Sequence, residues 1–462
     1  MSAPSPDAPL FAPTAAAAAA VVTVPPPLPP SAPVPPFAPG GLPSASALRE
    51  PAGYRTKYML ASIGLFLATF APSLGGLAVK VQSLVPLEQA GTVLGVVTGI
   101  GGLFAIVTQP LIGRLSDRTR SRHGMRKPWI IAGTIGTFLS LLVIPLAPSV
   151  LVLAVGWSGV QFFLNVVQAG LTATVADQVP EARRGRVAGM VGATAPIGIV
   201  LGAVGLTALP NDLLRMGIPA VIGLVAGLFF AFTLKDRVLR SAPEPFQVKT
   251  FLAAFVFNPL KHRELGWAWL TKAMFVFGYA SVVTYTPLYL ASSFGMSEVA
   301  EQLRFNLWLT LTMTSFNILF AFVGGAFSDR LGRRRVFVST GAVIASAGVL
   351  LFALAPQFGV STGLVALLVA QALIGMGGGL FLAVDMALCI EVLPDRDQLA
   401  KDLGVLNTAN VLPVAFGPFL AGLVFIPVGD SLFGAGYATW FASAAVVSLV
   451  GGLLVYRIKN VR

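Results

Sequence analysis

Twelve apolar runs of about 20 residues follow one another along the chain, near 58–79, 91–112, 129–148, 151–176, 187–209, 216–234, 267–290, 305–327, 336–355, 363–388, 403–426 and 436–456. At about 1.5 Å of rise per helical residue, each is long enough to cross a hydrocarbon core of roughly 30 Å. No single water-soluble core takes in twelve such runs. The expected class is therefore an all-α polytopic membrane protein with twelve transmembrane helices. Composition agrees, with 55% hydrophobic residues and a mean hydropathy of +0.81, outside the range of soluble domains. Glycines scattered through the runs suit close helix–helix approach in lipid.

Charge is scarce, at 11% of residues, yet six cations crowd between Arg114 and Lys127 in GRLSDRTRSRHGMRKPWI (113–130). Residues before the first run and after each even-numbered run belong on one side of the membrane. That side holds 27 of the 31 lysines and arginines, whereas the other side has Lys80, Arg215 and Arg304, and Lys272 lies within a run. The bias predicts cytoplasmic N- and C-termini. The net charge of +12 then reads as contact with the anionic leaflet of a cell membrane, and nucleic acid is not an expected partner.

Other chemistries find little support. A single cysteine, Cys389, excludes an internal disulfide and a cysteine metal cluster. The two histidines, His123 and His262, fall in basic loops without metal-ligand spacing. No glycine loop with a following lysine cradles a phosphate, which argues against an ATP-driven pump within this chain. Neither a catalytic centre nor a metal or other cofactor is expected.

Four regions are expected. Residues 1–53 hold a Pro/Ala-rich tail, with 14 of the 34 prolines in the first 50 positions and no charge between Asp7 and Arg49. This composition predicts a disordered cytoplasmic tail. Residues 54–234 form a first six-helix half, 235–265 a cytoplasmic connector with a short apolar FLAAFVF (251–257), and 266–462 a second half. The halves share sequence. Ser116-Asp117-Arg118 recurs as Ser328-Asp329-Arg330, each with a glycine three residues before the serine, at an offset of 212. VADQVPEARRGRVAG (175–189) matches CIEVLPDRDQLAKDLG (389–404) at about 214, aligning Asp177 with Glu391 and Pro180 with Pro394. Six-helix halves repeated in this way are a transporter architecture, with a substrate site near the midplane between the repeats.

The pair GRLSDR and GAFSDRLGRRR resembles the loop signature of the major facilitator superfamily, repeated after the second and eighth helices. The longer first copy, SDRTRSRHGMRKPWI, resembles that of the glycoside–pentoside–hexuronide cation symporters and the sucrose-transporter-like branch. So do Asn165, Gln168 and Asp177 in LNVVQAGLTATVAD, Gly198 and Gly202, and NPLKHRELGWAWL before helix seven. The resemblance covers residues 54–460. It implies two pseudo-symmetric six-helix halves and a secondary transporter working by alternating access. Two departures bear on substrate and coupling. Thr172 stands where sucrose transporters carry an arginine, and helix one has no acid where melibiose-type relatives carry sodium-site carboxylates.

Three groups of residues are candidates. The resemblance makes Asp117 and Asp329 latch residues of a cytoplasmic gate, with Arg118, Arg330 and Arg333 as partners. The plainer reading is positive-inside anchoring with solvated acids. Ionisable residues inside a span mark function by default, so Asp385 and Lys272 are proton-coupling candidates. They are expected to pair, directly or through one water, in an inward-closed state. Against that stands a snorkelling lysine beside an aspartate at the membrane rim. Polar faces on three helices supply substrate-cavity candidates: Asn165, Gln168 and Thr172, then Tyr279 beside Thr286, then Asn407 with Asn410. In lipid such side chains often just hold a neighbouring helix.

The expected function is secondary active transport of a small polar organic solute, such as a sugar or glycoside, by proton symport. The expected partners are that solute, a proton and the bilayer, with the protein a monomer. One alternative is a proton-antiport exporter of amphipathic compounds, although ATAPIGIVLG (193–202) lacks the glycine before proline common in helix five of such exporters. Another is a non-transporting membrane scaffold or sensor on the same fold.

Overall fold

Each apolar run becomes one long helix in the computed structural model, which describes residues 37–38, 42–43, 50–239, 262–392 and 399–459. The twelve spans are α1 (Tyr54–Leu84), α2 (Leu87–Ser116), α3 (Lys127–Leu146), α4 (Val150–Gln178), α5 (Ala182–Ala208), α6 (Asp212–Thr233), α7 (Arg263–Phe294), α8 (Val299–Ser328), α9 (Arg334–Phe358), α10 (Val360–Cys389), α11 (Val405–Phe433) and α12 (Gly436–Arg457). Several helices outrun the apolar stretch that predicted them, because polar residues at their ends continue the helix into the interface. α1, for instance, starts at Tyr54 and runs on through Lys80 to Leu84. Most of the tail (1–36, 39–41 and 44–49) and the connector at 240–261 lie outside the described residues, and with them the tail's expected disorder and FLAAFVF. Within the tail, Phe37–Ala38 pairs antiparallel with Leu42–Pro43.

Local chemistry sets the helix ends. Ser149 and Asn211 cap α4 and α6 by accepting the Val152 and Leu214 N–H groups. Gly295 and Gly332 close α7 and α8 in the left-handed region, at φ 68° and 61°.

The two halves repeat one packing scheme. α1 packs on α5 and α6, α2 on α4, and α3 on α4 and α6, while α7 packs on α11 and α12, α8 on α10, and α9 on α10 and α12. Glycines set the closest approaches. A Cβ at Gly64 would meet Ala226 and Gly223 of α6, and one at Gly278 would meet Ser448 and Ala444 of α12. The two glycines stand 214 residues apart, the offset of the sequence repeat.

The halves join through α2 against α11 and α5 against α8. One apolar core at the end remote from the GRLSDR loop draws residues from both halves, including Leu94, Trp157, Tyr285, Tyr289, Phe352 and Trp440. Toward the signature loops the buried clusters each belong to one half, one around Tyr58 and Phe230, a small one around Ile112 and Val166, and one around Phe275 and Phe381. Hydrogen bonds follow the same division. Gln82 and Gln302 exchange amide bonds at 3.2 and 3.4 Å, Thr207 donates to Leu303 O, Asn306 to Leu74 O, and Tyr285 to Gly91 O. Among the described residues, the halves are closed against each other at the end remote from the signature loops.

Candidate functional site

Inside the second half, α7 and α10 are held together by three successive contacts. Lys272 Nζ lies 2.8 Å from Asp385 Oδ2, with both side chains 5% exposed. One turn further along α7, the rings of Phe275 and Phe381 stack with centroids 3.6 Å apart and planes 6° apart. Next, Tyr279 leans over Gly378, where a Cβ would strike both its ring and Asn317, and the Tyr279 hydroxyl accepts from Asn317 Nδ2 of α8 at 3.1 Å. The second oxygen of Asp385 faces the Cys389 thiol, one turn on, at 3.7 Å. Both carboxylate oxygens therefore have partners, as a charge withdrawn from water requires.

This is not snorkelling. Lys272 points across to α10 and is 4% exposed as a residue, as is Asp385. The direct approach expected of the two is present. Both helices belong to one half, so the pair does not depend on how the halves sit against each other.

The first half has no charge at the matching place. At the 214-residue offset Lys272 corresponds to Tyr58 and Asp385 to Leu171. Tyr58 is 1% exposed and Leu171 fully buried, and the Tyr58 hydroxyl faces those of Thr172 and Ser62. Tyr54 meets Thr174 hydroxyl to hydroxyl at 2.8 Å. Neutral hydroxyls join α1 to α4 where an ion pair joins α7 to α10.

At the signature-loop end, one arginine gathers the chemistry of the first half. Arg126, 5% exposed, donates from Nε to Asp177 at 3.0 Å, from Nη1 to Ser116 at 2.6 Å and from Nη2 to Asp117 at 2.5 Å. Burial pulls its basicity down, but Asp177 and Asp117 more than offset this and hold Arg126 above the ordinary arginine value. Asp236, just past α6, accepts the backbone N–H groups of Arg126 and Lys127 at 2.6 and 2.7 Å, which caps α3. Gly124, at φ 110°, leaves room for that carboxylate: a Cβ there would overlap Asp236. The second half repeats the core of the arrangement. Arg334 Nη1 pairs with Glu391 and donates to Ala387 O at 2.8 Å.

Of the gate candidates, Asp117 is bound to Arg126. Arg118 is half-buried and Arg330 and Arg333 are exposed, while the side chain of Asp329 lies outside the described residues. Sequence reasoning passed over Arg126 and Arg334 as ion-pair centres. The signal was present in the Gly-x-Arg of both loop copies, Gly124-Met125-Arg126 and Gly332-Arg333-Arg334, and in the aligned acids Asp177 and Glu391. Of the cavity candidates, Asn165 bonds back to Gln161 O of its own helix at 2.7 Å, Thr172 faces Tyr58, and Gln168, Asn407 and Asn410 are half-buried. Thr286 also bonds within its helix, to Val282 O.

A family model described as Major Facilitator Superfamily matches residues 58–316 and 298–462. The uncharacterized symporter sll1374 of Synechocystis sp. is 49% identical over 51 residues, 11% of this chain and 9% of that protein's own length. The class G tetracycline resistance protein of Vibrio anguillarum is 30% identical over 297 residues, 60% of this chain and 68% of that protein. Among solved structures, the nucleoside transporter NupG superposes with a TM-score of 0.65 over 88% of this chain and 98% of its own, at 15% identity. At that identity the likeness concerns the fold.

Proposed function

The chain belongs to the Major Facilitator Superfamily, and on that premise we propose that it moves a small polar organic solute in symport with a proton, by alternating access. The observation that carries this reading is the buried Lys272–Asp385 pair, 2.8 Å apart between two membrane-spanning helices. An isolated charge at the centre of a span costs about 2.5–3.5 kcal/mol on insertion scales, so each member of the pair is kept there by the other. Protonation of Asp385 cancels the attraction, frees the Lys272 ammonium, and makes the α7–α10 contact depend on the proton. Asn165, Gln168, Thr172, Asn407 and Asn410 supply uncharged hydrogen-bonding groups for a polar solute on the other helices. The local identity to a protein named as a symporter supports the direction of coupling.

The orientation is part of the same proposal. With 27 of 31 cations on one side, both termini and the signature loops face the cytoplasm of a cell membrane. The closed end is then the outer one. In that frame Asp117 and Arg126 tie the 114–127 loop to α4 while the outer end is closed, and release of Asp117 frees the loop to meet the opposite half. A cysteine in place of Ser121 should resist a membrane-impermeant thiol reagent in intact cells. Ready labelling would reverse the orientation.

Proteoliposomes test the coupling. Asp385→Asn should abolish accumulation driven by an acid-outside gradient yet retain exchange of labelled solute down its own gradient. Accumulation against a gradient by that variant would remove Asp385 from the coupling role. The 30% identity to a tetracycline resistance protein over 297 residues supports a second reading, proton-antiport export of an amphipathic compound. The same vesicles decide between the two, because an exporter drives labelled compound in the direction opposite to the proton.

A further inference from the structure

At the closed end, side chains from elsewhere meet main-chain carbonyls at two places where the helices depart from α geometry. In α1 the segment Pro72–Gly76 is a π-turn, closed by the Leu77 N–H on Pro72 O. In α11 Ala421–Phe425 is another, closed by the Ile426 N–H on Ala421 O. A π-turn holds one residue more than the α ladder accommodates and locally shifts its backbone pairing. At both places a side chain from another helix donates to a carbonyl. Asn306, on α8 of the other half, donates its amide to Leu74 O. Tyr285, on α7, donates its hydroxyl to Pro418 O at 2.6 Å.

Tyr285 does more than this. The Gly422 N–H, in the π-turn, also faces the Tyr285 oxygen, so the hydroxyl sits against α11 where its helix geometry changes. The same hydroxyl reaches Gly91 O of α2 at 3.4 Å, and only hydrogen at Gly95 lets α2 come so close, since a Cβ there would stand 2.7 Å from it. Tyr285 is fully buried and Asn306 6% exposed. One hydroxyl therefore joins α7, the π-turn of α11 and α2 across the halves.

We propose that the two π-turns are the hinges of the outer gate, and that Tyr285 and Asn306 are positioning residues that hold it shut by bonding main-chain carbonyls at those turns. When the gate opens, both side chains withdraw from Pro418 O and Leu74 O as α2 parts from α11. Gln82 and Gln302 break in the same movement, but water replaces an amide–amide bond at that rim. It has no such access to a carbonyl inside a helix. The proposal rests on reading the chain as an alternating-access carrier.

Spin labels at Glu88→Cys and Ser431→Cys, at the exposed outer ends of α2 and α11, test it in purified protein without solute or proton gradient. The native Cys389 is fully buried and is left in place. The parent should give one short distance. Tyr285→Phe and Asn306→Leu should each add a longer component, with the open population rising about tenfold, equivalent to ~1.4 kcal/mol. Distance distributions unchanged in both variants would overturn the proposal. Should Tyr285→Phe not yield monodisperse protein, Asn306→Leu decides alone. The readout needs no assumption about substrate or coupling ion: a longer component together with failed acid-driven uptake would refute the symport reading and leave the gate standing.

Discussion

The α7–α10 contact and the α1–α4 contact occupy equivalent places in the two halves, yet one is an ion pair and the other a set of hydroxyls. Lys272 and Asp385 stand where the repeat puts Tyr58 and Leu171. The surrounding architecture hardly differs, since glycines 214 residues apart bring α1 onto α6 and α7 onto α12 by the same close approach. The fold therefore does not demand a charge at this position. A neutral solution packs equally well in the same chain, and the charged one, which is harder to place in lipid, is retained in the second half alone. The asymmetry supports a working role for the pair better than burial alone does.

Breaking the two contacts should expose the difference. Lys272→Ala leaves Asp385 buried without its cation, and removal of one member of a buried pair typically costs about 3–5 kcal/mol. Tyr58→Phe removes one hydroxyl from a group of three, worth about 1 kcal/mol. Thermal unfolding in detergent should therefore fall far more for Lys272→Ala than for Tyr58→Phe. Equal losses would mean that the charged contact has no special standing. The exchanged pair Lys272→Asp with Asp385→Lys should recover part of the stability, since attraction across the contact survives the swap, while proton-driven uptake stays lost because the acid has changed helix.

The signature loops offer a second contrast. Arg126 binds three side chains from a buried position, whereas Arg334 and Glu391 are 26% and 43% exposed. Arg126→Ala should cost about 2–3 kcal/mol, the scale of charge-assisted hydrogen bonds under cover, and Arg334→Ala about 0–1 kcal/mol, as for exposed ion pairs. The pH dependence differs from that of a carboxylate switch. Arg126 is held above its ordinary value, so its contribution is complete below the unfolded arginine's pKa and is lost only on rising through the folded one, far above any pH a cell reaches. Unfolding curves for the Arg126→Ala difference should thus be flat from neutral pH to mild alkali. If Arg334→Ala proved the more damaging, the second loop would carry weight its exposure does not suggest.

How far these features were legible in sequence follows from the range of the forces involved. Twelve spans and two halves are written in local hydropathy and in repeated motifs, which need no tertiary knowledge. Lys272 and Asp385 stood out because charge inside a span is rare, and their partnership could be guessed because two isolated charges at similar depth seek each other. Arg126 was harder to see. It is one of six cations in a loop, and what distinguishes it is the arrival of Asp177 and Asp236 from positions 51 and 110 residues away. No local pattern carries that information, although alignment of the two loop copies at Gly124 and Gly332 would have singled out Arg126 and Arg334. The two π-turns differ in this respect. PSLGG carries a local signal in its proline and paired glycines, with Gly75 outside helical φ/ψ, whereas AGLVF reads as ordinary apolar helix and the Tyr285 hydroxyl reaches it from another helix.

Those two aligned glycines give the smallest and cleanest contrast. Both lie in the left-handed region, Gly124 at φ 110° and Gly332 at φ 61°, where a side chain costs about 1–2 kcal/mol through contact between Cβ and backbone. Gly332 faces open space, with nothing within 4 Å of a Cβ, so Gly332→Ala should lose about 1 kcal/mol and no more. At Gly124 a second effect adds to the first. The new methyl would overlap the Asp236 carboxylate, whose Oδ2 accepts the N–H groups that open α3. The carboxylate must move, and with it goes a cap of a kind worth about 1 kcal/mol. Gly124→Ala should therefore lose about 2 kcal/mol. The extra loss should disappear when Asp236→Ala is made first, because the cap is then already gone and the space already clear. A Gly124→Ala penalty that persists undiminished in that background would show that the backbone alone sets the cost, and that the two loop copies differ in sequence but not in what their glycines do.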